Sequence, residues 1–162
     1  MTSDLLDYKR VLVVDDEQDI LDTIEELLHM CEVVKVSSFE EAREILEREY
    51  FDIAILDIMG VDGYKLLEIA NRRDITAVML TAHALSPEDT EKSFKEGAAS
   101  YVPKEKVPEI TTYLSDVLEA KEQGKNTWSR WLDRFGAFYD KKFGPRWKMK
   151  AKEIIENSGM WE

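Results

Sequence analysis

Four short apolar runs recur along this chain, and each leads straight into residues able to do chemistry. Val11-Leu12-Val13-Val14 precedes Asp15 and Asp16, Ile53-Ala54-Ile55-Leu56 precedes Asp57, Ala77-Val78-Met79-Leu80 precedes Thr81, and Tyr101-Val102 precedes Pro103 and Lys104. Runs without polar alternation are expected where both faces of a sheet are covered, as in parallel sheets flanked by helices. Amphipathic segments lie between them. Ile20, Leu21, Ile24, Leu27 and Leu28 share one helical face, as do Ala42, Ile45 and Leu46 behind a capping box of Ser38 and Glu41. A third helix is expected from about Asp62 with Leu66, Leu67 and Ala70 inward, and a fourth behind Ser86-Pro87-Glu88-Asp89, ending at Gly97. Val33 to Val36 adds a second strand, and Pro108 is expected to open the last helix. Five strand–helix units with right-handed crossovers make a doubly wound, five-stranded parallel sheet with helices on both faces.

In such a sheet the ligand site lies outside the carboxyl ends of the strands. Asp15, Asp16, Asp57, Thr81 and Lys104 are therefore expected to converge. Three carboxylates, a hydroxyl and an ammonium describe a site for a divalent cation and a phosphoryl group. The clustered acids repel unless a cation neutralises them, and magnesium suits carboxylate and phosphate oxygens. Taken singly, each residue has an ordinary role as a cap, a strand end or a surface charge. Their order along the chain is what carries the reading.

That order (V-V-D-D-E, then L-D-I-M, then L-T-A, then Y-V-P-K) resembles the response-regulator receiver domain of two-component signalling, over roughly residues 8 to 120. The resemblance implies a flavodoxin-like strand order 2-1-3-4-5, with the switch point between strands one and three. It implies Asp57 as phospho-acceptor from a sensor histidine kinase or phosphotransfer protein, and Mg2+ held by Asp16 and Asp57, by Asp15 through water, and by the Met59 backbone carbonyl. Lys104 and Thr81 would bind the phosphoryl oxygens. Tyr101 would turn inward when Thr81 moves, altering the surface of the fourth helix, fifth strand and fifth helix for a downstream protein. On this reading the chain is no enzyme beyond self-phosphotransfer and self-dephosphorylation.

Two departures from the family pattern stand out. The loop after Asp57 (Ile58-Met59-Gly60-Val61-Asp62-Gly63) is about two residues short and lacks the usual proline, and Gly60 is expected to supply the freedom the tighter turn needs. Lys104 is followed by Glu105 rather than proline, so an ordinary trans bond is expected there. His83, two residues past Thr81, and Met59 are candidate modulators of water access to the phosphoryl group. His29 reads as a helix-face residue and Cys31 as a small apolar filler.

The resemblance implies a receiver over residues 1–120 and an extension over residues 121–162, and charge divides along the same line. The net charge of −12 splits into −16 for the first part and +4 for the second. An acidic body argues against general nucleic-acid binding. A single cysteine allows no internal disulfide and fits a reducing compartment. No leader opens the chain and no apolar run approaches the ~20 residues needed to span a bilayer, so a cytoplasmic location is expected.

All four tryptophans (Trp128, Trp131, Trp147 and Trp161) fall in the extension. After a breaker at Gln123-Gly124-Lys125-Asn126, a stripe of Trp128, Trp131, Leu132, Phe135, Phe138 and Tyr139 follows at helical spacing, and Gly144-Pro145 interrupts before a second helix. About 40 residues without metal or disulfide seldom fold alone. The stripe must bury itself against the receiver, against a second copy as a homodimer, or against another protein. A protein-contact response regulator is the leading reading. Behind it stand a transcription regulator binding DNA through the extension and an unphosphorylated receiver acting as a binding module. A phosphatase of the haloacid-dehalogenase kind is least favoured, because Met59 stands where that class has its second carboxylate.

Overall fold

The structure is a computed structural model, and it describes residues 3–82, 87–143 and 147–157. Five parallel strands, β1 (Arg10–Val14), β2 (Glu32–Val36), β3 (Ile53–Asp57), β4 (Thr76–Thr81) and β5 (Ser100–Pro103), form one sheet in the order β2-β1-β3-β4-β5. The expected doubly wound architecture is therefore the observed one. β3 is buried along its whole length, as its unbroken apolar run demands. Pairing of Val14 with Leu56, Asp57 with Leu80 and Thr81 with Pro103 brings the carboxyl ends of four strands level.

Helices α2 (Gln18–Leu27), α3 (Phe39–Arg48), α4 (Gly63–Arg72), α5 (Pro87–Lys95) and α6 (Ile110–Glu122) follow the five strands in turn. The capping box forms, with Ser38 Oγ accepting from the Glu41 amide at 3.3 Å. Pro108 does not open α6. It sits inside a 3-10 turn spanning Lys104–Glu109, and the α-helix starts two residues later at Ile110. His29 lies exposed in the turn after α2, not on the helix itself. A further four-residue helix, α1 (Ser3–Leu6), buries Leu6 and lies against α6. Cys31 is half-buried, gives its S–H to the Leu6 carbonyl, and is pushed up to about 11 by burial, so it stays a thiol. No cis peptide bond occurs among the described residues, the one after Lys104 included.

Beyond α6 the chain turns at Gly124, in the left-handed region at φ 68°, and enters α7 (Thr127–Phe143) and α8 (Trp147–Asn157). Of the three burial options for the aromatic stripe, the chain's own sheet-and-helix body takes it. Trp128, Trp131, Leu132 and Phe135 join the main core, while the side chains of Phe138, Tyr139 and Trp147, and all of Gly144-Pro145 and Trp161, lie outside what is described. The Trp128 indole donates to the Ala98 carbonyl at 2.7 Å and meets Phe94 edge-on at 5.3 Å. Truncating a buried tryptophan typically costs about 3–5 kcal/mol. Trp128→Ala should weaken the seating of α7 by that order, read as lost amide protection in α7 by hydrogen exchange.

Candidate functional site

Asp15 follows β1, Asp57 ends β3, Thr81 ends β4 and Lys104 follows β5, so the topology alone gathers all four at one edge of the sheet. Asp15, Asp57 and Thr81 are buried, whereas Asp16 is exposed. Lys104 Nζ is 2.9 Å from Asp15 Oδ2, 2.6 Å from Glu17 Oε1 and 3.6 Å from Asp57 Oδ2. Buried charges need such pairing. Burial works against the charge of Lys104, but the hydrogen bond to Glu17 and the ion pair with Asp15 outweigh it and hold its pKa above the ordinary lysine range.

The carboxylates remain under tension. Burial raises Asp15 above the usual aspartate range, with Lys104 opposing. Asp57 is pushed up to about 6, first by burial and then by the charge of Asp15, with Lys104 opposing and Asp16 adding to the push. Asp15 Oδ1 accepts from the Glu17 amide at 2.9 Å. Asp15 Oδ2, fully buried, touches Lys104 at ion-pair distance yet receives no aligned hydrogen bond. Such an oxygen is suited to a cation.

Gly60 brings the loop backbone close against the carboxylates. A Cβ there would stand 2.3 Å from Asp57 Oδ2 and 2.4 Å from Asp16 Oδ1. Both oxygens approach so closely that only a residue without a side chain fits there. The expected reason for this glycine was backbone freedom, but its φ is not in the left-handed region; the reason is room. Asp62 carries the positive φ of the short loop instead, at 55°. Ile58 and Val61 anchor the loop by burial, and the Gly60 amide donates to Asp57. The Met59 side chain is 80% exposed.

Glu17 is the residue the sequence reading passed over. Its side chain holds Lys104 and belongs, with Asp15 and Asp16, to the group of carboxylates close enough to share a metal ion. The third acid of the Asp15-Asp16-Glu17 run was the available signal. Tyr101 is fully buried, edge-on to Trp131 at 6.3 Å. Its pairing with Met79 puts it on the same sheet face as Thr81, two residues along. His83 lies outside the described residues.

Residues 11–115 match the family model of the response regulator receiver domain. The chain belongs to that family. This receiver is 33% identical over 125 residues to the two-component response regulator ARR10 of Arabidopsis thaliana, covering 72% of this chain and 22% of that protein. It is 41% identical over 99 residues to the heme response regulator HssR of Staphylococcus aureus, covering 57% and 43%. The match thus spans less than half the length of either curated relative. Among solved structures, a CheY-like receiver domain from Methanospirillum hungatei aligns at TM-score 0.58 and 29% identity, covering 70% of this chain and 98% of the other. A response regulator from Chloroflexus aurantiacus aligns at 0.62 and 26%, covering 69% and 98%. Among the described residues, no helix is long and apolar enough to cross a membrane.

Proposed function

We propose that this receiver accepts a phosphoryl group on Asp57 from a histidine kinase or phosphotransfer protein and passes the change to a protein partner. The observation that carries the reading is the Lys104 ammonium, 3.6 Å from a buried Asp57 carboxylate at the convergence of the strand ends. An Asp57 oxygen attacks phosphorus, a P–O bond forms as the P–N bond to the donor histidine breaks, and that imidazole keeps the electron pair and takes up a proton. Lys104 stays protonated throughout and offsets the charge on the transferring oxygens. Thr81, ending β4, supplies a hydroxyl to the acyl phosphate.

Asp15, Asp16 and Asp57, with the Met59 carbonyl, would hold Mg2+; the buried, unaligned Asp15 oxygen and the clustered carboxylates fit a cation. When bound, the ion withdraws charge from phosphoryl oxygens and relieves carboxylate repulsion. The chemistry is a single self-modification and its hydrolytic reversal, not turnover of a substrate.

Intact mass after incubation with acetyl phosphate and magnesium tests this. The parent should gain one phosphate and Asp57→Asn none. A folded parent that gains nothing would move the assignment to an unphosphorylated binding module. The DNA reading is weakened by the pairing of Arg130 and Arg134 with Glu119 and Asp116, which leaves those cations engaged.

A further inference from the structure

The helix α7 lies across α6 and the edge strand β5, with its first turn against Phe94 of α5. Its grip is specific in chemistry. Trp128 and Trp131 donate their indole N–H groups to the carbonyls of Ala98 and Tyr101, both at 2.7 Å. Phe135 packs on Tyr113 at 4.7 Å between ring centres. Arg134 reaches both oxygens of Asp116, at 2.7 and 3.2 Å, and Arg130 pairs with Glu119. The receiver side is acidic and the helix side basic, which matches the division of charge along the sequence.

The same grip ends on the strand that feeds the site. β5 is four residues long; Trp131 holds it at Tyr101, and Lys104 follows it directly. Before phosphorylation Lys104 leans on Glu17 and Asp15 and stands farther from Asp57. A phosphoryl group on Asp57 adds negative charge on that far side, which draws the ammonium over and drags the end of β5 with it. Thr81 and Tyr101 share a sheet face, so a shift at Thr81 reaches the ring beneath Trp131 as well. Release has a ready hinge: Gly124 is left-handed, and a Cβ there would meet nothing within 4 Å.

We propose that the α5–β5–α6 face is a docking surface for an aromatic, arginine-flanked helix, that α7 is its resident occupant, and that phosphorylation of Asp57 displaces α7. The surface then becomes available to a partner helix of the same chemistry. This rests on Asp57 being the phospho-acceptor.

Hydrogen exchange on the full chain, with and without acetyl phosphate and magnesium, reads the docking, and intact mass on the same samples reads the phosphate. Amides of residues 128–137 should exchange at least about tenfold faster in the phosphorylated parent and stay unchanged in Asp57→Asn. By linkage, weakening the dock should raise the affinity of the site for a bound phosphoryl mimic. Trp131→Phe, which keeps a ring but loses the indole donor, should bind beryllofluoride with magnesium, a phosphoryl mimic, several-fold more tightly than the parent. A phosphorylated protein whose α7 is as protected as before, or more so, overturns the proposal, as does unchanged or weaker beryllofluoride binding by Trp131→Phe. No uptake by the parent overturns it together with the assignment of Asp57, and the mass alone tells these two failures apart.

Discussion

Replacing Gly60 with alanine should cut the rate of phosphate uptake by about a hundredfold while leaving the sheet folded. The added carbon would sit 2.3 Å from Asp57 Oδ2 and 2.4 Å from Asp16 Oδ1, so either the acceptor carboxylate turns or the loop retreats. Misplacing a reacting group by about 1 Å is enough for a loss of that order. Backbone strain does not confuse the test, because Gly60 does not use a left-handed conformation. Gly63 offers a contrast. Its added carbon would meet the backbone oxygen of Asp57 at 2.4 Å, and a strand backbone cannot swing aside. Gly63→Ala should therefore lower the melting temperature, where Gly60→Ala should spare it. Uptake by Gly60→Ala within a few-fold of the parent would mean that the loop gives way freely and that the tight approach has no part in the chemistry.

Most of the sheet was legible because β1, β3 and β4 are buried almost throughout and their apolar runs are uninterrupted. Chemistry-bearing residues at strand ends are equally visible, since parallel topology sends every carboxyl end to one side. Local signals failed where a contact was long-range or a segment too short for a period. Four residues of α1 show no helical pattern, and only the burial of Leu6 against α6 explains them. Pro108 carries the mark of a helix start, yet the chain after Lys104 already winds as a 3-10 turn, in which a residue without an N–H is tolerated. Glu17 was hidden by reading the acids as a pair, because its partner Lys104 lies 87 residues away. The stripe of α7 announced that it must be buried, but not where. The deciding features were the short connection after α6, which restricts α7 to neighbouring surfaces, and the carbonyls of Ala98 and Tyr101 waiting there for indole donors.

In chelator at pH 7.5, Asp57→Asn should be more stable than the parent, by up to about 3 kcal/mol. The folded carboxyl of Asp57 titrates at about 6 against an ordinary value of 3.8, and each unit is worth about 1.4 kcal/mol. Between those values the folded chain holds more protons than the unfolded one, so stability falls as pH rises. The contribution is fully present below pH 4 and is lost as pH passes 6. Asparagine has no charge to bury, so the advantage of the variant should be full at pH 7.5 and vanish near pH 4. For a chain of this size the gap amounts to roughly 6–12 °C in melting temperature. Added magnesium should narrow it by stabilising the parent more than the variant, since binding to the folded state alone raises stability. A parent that melts as high as Asp57→Asn in chelator at pH 7.5 would mean that Lys104 already neutralises the site. The crowding of carboxylates would then supply no drive toward a cation.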